Sequence, residues 1–229
     1  MGEDRFTSFT VELAGGQAVS VRRYGADAEP SPAIILGHGA GAPQTSPFIV
    51  KTAEGLRARG THVFTFNFVY KELGRKIPDS NDRLESCFLA VTEAVQARLS
   101  GPDRGIFVGG KSMGGRIATQ IVAKHENAAE SFKGVVVLGY PLHPPGRPAV
   151  LRTGHLPQIR VPMLVVQGSR DAFGTPAELR EAFSAVPAPW KLVVVPDADH
   201  SYKLSGNAKA SQEEVFGQVL GEVTAWMGL

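Results

Sequence analysis

GIFVGGKSMGGR, residues 105–116, fits two unrelated backbones. Counted from Gly105 it satisfies G-x-x-x-x-G-K-S, a loop whose backbone N–H groups cradle phosphate. Counted from Gly110 it satisfies G-x-S-x-G, a strained strand-to-helix turn that presents a serine hydroxyl. The position of the preceding strand decides between them. In a phosphate loop the first glycine ends the strand, yet here GPDR (101–104), a turn sequence, precedes Gly105. The residues that would wrap the phosphate, Ile106, Phe107 and Val108, are themselves the apolar run. A loop facing water and phosphate has no use for Ile-Phe-Val. The elbow reading ends the strand near Val108 or Gly109 and starts a helix directly after Ser112. Gly110 and Gly114 then supply the missing side chains that a crowded turn demands, and Gly115 lets the helix approach the sheet. The helix N-terminus aims free N–H groups at any oxyanion forming beside Ser112.

The flanking sequence predicts the sheet. Two alternating segments, FTSFTVEL (6–13) and AVSVRRYG (18–25), are separated by Gly15 and Gly16 and predict an antiparallel hairpin. Short unbroken apolar runs follow at 33–39, 61–68, 105–110, 134–140, 161–168 and 191–197. Such runs suit parallel strands buried on both faces. Helical patterns fill the gaps. After Asp82, DRLE predicts a capping box closed by Glu85, with Leu84, Phe88, Val91, Val95 and Leu99 on one face. Met113, Ile117, Ile121 and His125 recur four apart, and PAELREAFSAV (176–186) and QEEVFGQVLGEVTAWM (212–227) complete the set. No repeat, low-complexity tract or linker divides the chain. The expectation is a single α/β domain over 1–229, with a mainly parallel sheet and an antiparallel hairpin at its start.

Composition excludes several classes. The 24 Lys plus Arg against 22 Asp plus Glu give a net charge of +2, too balanced to suggest a nucleic-acid or membrane partner. One cysteine, Cys87, allows no intramolecular disulfide and no thiolate metal cluster, and its place in LESCFLAV suits a small buried helix residue. The start MGEDRFTSF has no basic segment leading into an apolar core, and Phe6 stands where a myristoylation pattern needs Ser or Thr. No apolar run approaches the roughly 20 residues of a membrane span. A cytoplasmic protein is the default expectation.

A serine hydroxyl is a poor nucleophile without a base, so the elbow requires a histidine and a carboxylate to orient it. Where such an elbow is known, in α/β hydrolases, which this pattern resembles, they follow on loops after later strands, acid first. His62 begins a strand, His125 closes a helix, His155 lies in a Pro/Gly-rich stretch, and His38 precedes the serine. His200, in VVVPDADHSY directly beyond the last strand, stands where the base belongs. MLVVQGSRD places Asp171 after the preceding strand. Asp197 and Asp199 are rivals for the acid, though sharing the histidine's own loop suits them better to shaping its turn. ILGHGAGAP (35–43) offers small residues that let the N–H of Ala40 face the site beside that of Met113.

Together these residues resemble the α/β-hydrolase superfamily over essentially the whole chain. More narrowly, HGAGAPQTSPF, GKSMGGR, GYPLHPPGRP, GSRDAFG and ADHSY are similar to a small bacterial branch. That branch is akin to dienelactone-hydrolase-like proteins and to the testis-expressed α/β-hydrolase-like proteins of animals. The resemblance implies an α/β-hydrolase fold with a core of about eight strands, helices on both faces and no large cap domain. It also implies Ser112 as nucleophile, Asp171 as acid and His200 as base. Dienelactone hydrolases proper carry cysteine where Ser112 stands, which argues against dienelactone as substrate.

The expected chemistry is acyl transfer to water from a small ester-like molecule, with Ala40 and Met113 N–H groups as oxyanion donors and no cofactor or metal. The loops 66–79 and 140–160 are the expected pocket walls. Phe68, Tyr70 and Leu142 offer apolar surface there, His38 and His143 are further pocket candidates, and Lys71, Arg75, Lys76, Arg147 and Arg152 offer positive charge or simply a solvated face. An α/β-hydrolase-like interaction module with weak or no turnover remains the alternative, with a nucleotide-dependent enzyme behind it.

Overall fold

The Val- and Ile-rich runs do pair into the centre of one sheet. The structure, a computed structural model, describes residues 6–25, 32–99, 106–206 and 208–229. The GPDR turn, Gly105 and the first five residues lie outside the described residues. The strands are β1 (Thr7–Glu12), β2 (Ala18–Tyr24), β3 (Ala33–Gly37), β4 (His62–Phe66), β5 (Ile106–Lys111), β6 (Phe132–Leu138), β7 (Met163–Gly168) and β8 (Trp190–Val195). Their order across the sheet is β1-β2-β4-β3-β5-β6-β7-β8. The hairpin β1–β2 is antiparallel, β2 also runs antiparallel to β4, and every pairing from β4 to β8 is parallel.

The helices are α1 (Pro47–Arg57), α2 (Val69–Glu72), α3 (Asn81–Gln96), α4 (Met113–Lys124), α5 (Ala128–Ser131), α6 (Pro176–Phe183) and α7 (Gln212–Trp226). Successive strand residues point to opposite faces, so each central strand feeds two cores. Ile34, Leu36, Val136 and Leu164 pack with Ala53 and Leu56 of α1 and Val219 and Val223 of α7. Ile35, Val108, Val135 and Val165 pack on the other face with α3, α4 and α6 through Phe88, Ile117 and Phe183. Burying both faces is what parallel strands require.

Two local expectations are corrected. The capping box at Asp82 does not form: α3 starts two residues earlier, its N-cap is Ser80, and that serine makes no side-chain capping bond. Glu85 instead turns inward and accepts from Lys124 Nζ at 2.6 Å, tying α3 to α4. Because the helix is already under way at Asn81, Asp82 lies inside its first turn and cannot cap it. Capping boxes do form where α6 and α7 begin, at Thr175 with Glu178 and at Ser211 with Glu214. The second correction is that β5 runs on to Lys111, two or three residues further than expected, so the turn falls entirely on Ser112.

Candidate active site

At the carboxyl end of β5 the chain must reverse direction within one residue to start α4. Ser112 makes that turn with φ 52° and ψ −114°, a conformation that costs a non-glycine residue on the order of 1–3 kcal/mol. The turn closes only because its neighbours have no side chains. A Cβ on Gly110 would lie 2.1 Å from the Gly37 carbonyl oxygen, and one on Gly114 would lie 2.2 Å from the same atom. The glycine spacing therefore records how closely β3, β5 and α4 approach. Because Lys111 belongs to β5 and Ile106–Val108 are buried strand, the phosphate-loop reading has no loop to act with.

Three strand ends bring a serine, a histidine and a carboxylate into one line. Asp171 follows β7 and is buried, while His200 follows β8. Ser112 Oγ lies 2.8 Å from His200 Nε2, and His200 Nδ1 lies 2.6 Å from Asp171 Oδ2. Asp171 is itself held: Oδ2 accepts from Gln167 Nε2 at 2.7 Å and Oδ1 accepts from the Phe173 N–H at 2.8 Å. The Phe173 ring lies against the imidazole, with centroids 4.3 Å apart. Asp199 accepts from the N–H groups of Ser201 and Lys203, and Asp197 adopts a positive φ in the same turn. Both rivals thus shape the loop that carries His200. Burial is the largest influence on the imidazole and holds its pKa below the usual value. The nearby Lys111 charge acts the same way, while Asp171 and Asp199 push against both. The ring is therefore a neutral acceptor at neutral pH.

Two further backbone groups belong to residues of the same cavity. Neither the Met113 N–H, first in α4, nor the Ala40 N–H has an intramolecular acceptor among the described residues. Both residues line a cavity of about 570 Å³ together with Ser112 and His200. That volume falls in the range of small-molecule sites. Among the described residues no group of three or more His, Cys, Asp and Glu is arranged to hold a metal.

The five side chains expected on the pocket wall stand behind it. His38, Phe68, Tyr70, Leu142 and His143 are all buried, and none lines the cavity. Three of them fix the loop that does. His38 donates through Nδ1 to the Gly39 carbonyl at 2.8 Å and accepts the Phe68 N–H at Nε2. Tyr70 donates its hydroxyl to the Ala40 carbonyl at 2.7 Å. Burial pushes the His38 pKa down to about 4, so the ring stays neutral and keeps both bonds. His143 acts one layer further out, its N–H donating to the Phe173 carbonyl at 3.0 Å. The two loops expected as walls do contribute, through Pro78 and Asp79 from one and Pro141 and Arg152 from the other.

Other lining residues were not read from the sequence. Ser46, Pro47, Phe48 and Ile49 come from the start of α1, and Arg116 from α4. The signal for α1 was present: Ser-Pro at its start, then Ile49, Thr52, Ala53 and Leu56 on one buried face. Gln167, which donates to Asp171, carried no local signal at all.

A serine at a strained elbow, hydrogen-bonded to a histidine on a sheet of this topology, defines an α/β-hydrolase-type site. The comparisons agree. The family model described as "Alpha/beta hydrolase domain" matches residues 30–228, and the chain belongs to that family, within the α/β-hydrolase superfamily. Solved structures share the fold at low identity. A dienelactone hydrolase from Anabaena variabilis is 19% identical, covering 96% of this chain and 97% of its own, with a TM-score of 0.70. An α/β serine hydrolase without lid from Xanthomonas campestris is 19% identical over 99% and 97% of the two chains, with a TM-score of 0.70. An α/β serine hydrolase homologue from Coxiella burnetii is 18% identical over 97% and 99%, with a TM-score of 0.73.

Proposed function

We propose that the protein is a serine hydrolase that cleaves a small ester-like substrate, a carboxylic ester or thioester, through an acyl-enzyme on Ser112. The observation that carries this reading is the continuous hydrogen-bonded line from Ser112 Oγ through His200 to Asp171. A module kept only for binding has no use for a strained serine aimed at a neutral imidazole.

In this reading His200 Nε2 takes the Ser112 proton as Oγ attacks the carbonyl carbon. The oxyanion that forms accepts from the Met113 and Ala40 N–H groups, each worth roughly 3–4 kcal/mol in comparable sites. His200 then gives its proton to the departing alcohol or thiol. Water enters, loses a proton to His200 and splits the acyl-enzyme, regenerating Ser112. Asp171 accepts from Nδ1–H throughout, which keeps Nε2 free to act as the base. No metal or organic cofactor takes part. The cavity of about 570 Å³ limits the substrate to a modest size.

The test is labelling with a fluorophosphonate probe, which reacts with a serine activated by its base. We expect strong labelling of the native protein and none of Ser112→Ala or His200→Ala. A folded native protein that resists the probe would overturn the assignment in favour of an inactive binding module.

A further inference from the structure

Four charged side chains besides the imidazole line the cavity: Asp79, Lys111, Arg116 and Arg152. Two of them are already answered. Asp79 Oδ1 accepts from Arg75 Nη2 at 2.6 Å, with Arg83 Nη1 at 4.0 Å. Lys111 donates to the His200 carbonyl. The two arginines are different. Arg116 donates from Nη1 to Gln120 Oε1 at 3.1 Å and from Nη2 to Asn81 Oδ1 at 3.2 Å. Arg152 donates from Nη1 to the Pro141 carbonyl at 3.0 Å. All these acceptors are neutral. Glu85, which influences Arg116 from a distance, is already committed to Lys124 at 2.6 Å. Both guanidiniums are half-buried, and neither forms an ion pair among the described residues.

A partly desolvated charge that meets only dipoles is poorly compensated, and native interiors generally supply a counter-charge. Burial is the main influence that lowers the Arg116 pKa, with the Arg152 charge adding to it. A neutral glutamine would join α4 to α3 equally well, so helix stitching does not account for the guanidinium. Apart from Asn81 and Ser46, much of the remaining wall is apolar: Pro47, Phe48, Ile49, Leu84 and Met113. An apolar slot with two forked cations at one side suits a molecule with a hydrocarbon spacer and an oxyanionic end.

We propose that Arg116 and Arg152 form an anion-binding subsite that takes the free carboxylate of a half-ester substrate, one helical turn beyond the nucleophile. The inference rests on the serine-hydrolase reading and names its substrate class. The Arg116 N–H donates to the Ser112 carbonyl, so the two residues are one turn apart, about 6 Å along the axis of α4. The scissile carbonyl at Ser112 Oγ and a carboxylate at the guanidiniums are then separated by a short aliphatic spacer.

Mono-p-nitrophenyl adipate and p-nitrophenyl hexanoate form a matched pair, equal in chain length and differing in the terminal carboxylate. We expect the native enzyme to favour the adipate ester in kcat/KM by at least roughly tenfold, as charge-assisted hydrogen bonds of this kind provide. Arg116→Gln and Arg152→Gln should each collapse that preference, Arg116→Lys should restore part of it, and Arg180→Gln, on an exposed arginine of α6, should leave it intact. Equal losses on both esters in the glutamine variants, or no native preference, would overturn the subsite. Fluorophosphonate labelling of the same samples separates this failure from that of the hydrolase reading. If Ser112 is unlabelled and neither ester turns over, calorimetry with free adipate decides. Binding to the native protein that is lost in Arg116→Gln upholds the subsite, and no binding to the native protein refutes it.

Discussion

Lys111→Met separates what this lysine does for the fold from what it does for the site. Lys111 is 8% exposed, its ammonium donates to the His200 carbonyl, and it lies 5.4 and 5.5 Å from the ring centroids of Phe48 and Tyr202. Burial outweighs the attraction of Asp171 and Asp199 and pushes its pKa down from 10.5 to about 8. That depression is worth about 3 kcal/mol against the charged form. The hydrogen bond to His200 returns about 1.5–3 kcal/mol. Methionine of similar length removes both, so we expect unfolding free energy at pH 7 to change by less than about 2 kcal/mol.

The site has no such compensation. Without the ammonium, the His200 carbonyl loses its donor and the loop carrying His200 is less well fixed. We expect kcat to fall roughly ten- to hundredfold if that bond is fully expressed in the transition state. The charge on Lys111 also helps hold the His200 pKa down. Its removal raises that pKa, and the proposed mechanism requires the neutral ring, so the acidic limb of kcat/KM must move to higher pH. Activity against a p-nitrophenyl ester from pH 4.5 to 8, with urea unfolding at pH 7, reads all three quantities. Stability should also respond in alkali. The penalty of burying the charge is complete below pH 8 and gone above 10.5, so native stability relative to Lys111→Met should rise across that window. Loss of more than about 3 kcal/mol of stability with an unmoved acidic limb would show that Lys111 serves the fold alone.

Two other expectations concern the frame. His38 has a folded pKa of about 4 against 6.5 unfolded, so its contribution is complete above pH 6.5 and lost as pH falls toward 4. That loss is worth about 3 kcal/mol, and urea titrations at pH 7.5 and 4.5 should register it, with the Phe68 N–H released as Nε2 takes a proton. A pH-independent midpoint would refute the buried neutral ring. Gly114→Ala puts a methyl 2.2 Å from the Gly37 carbonyl oxygen, whereas Gly41→Ala meets nothing within 4 Å. The first should cost about 3 kcal/mol or more and the second under about 0.5, and thermal melting of both against the native protein checks the contrast.

What could be read from the sequence was what the backbone demands locally. Ser112 announced itself because a strand-to-helix reversal in one residue needs glycine at Gly110 and Gly114, and the contacts with Gly37 show why. Unbroken Val/Ile runs announced parallel strands because only sheets covered on both faces can bury them. Asp171 and His200 were legible for a related reason: side chains just past the carboxyl ends of neighbouring parallel strands must gather at one edge. The DRLE pattern misled because a capping box is a weak local preference, and Glu85 met Lys124 on α4 instead.

What remained illegible depends on which loop crosses above which strand. His38, Phe68 and Tyr70 sit next to the site in sequence terms, yet their rings point into the layer beneath it. Their sequences could not show this, because a buried histidine between two backbone partners and a cavity histidine present the same local pattern. The cavity wall was built instead by the first residues of α1. They reach Ser112 because β3 lies beside β5 although β4 follows it in the chain. The cavity wall is therefore supplied by topology, whereas the serine elbow is supplied by local backbone chemistry. On the proposed hydrolase reading, substitutions at Phe48 or Arg116 change the preferred ester without disturbing the elbow, whereas substitutions at Gly110 or Gly114 disturb the elbow itself.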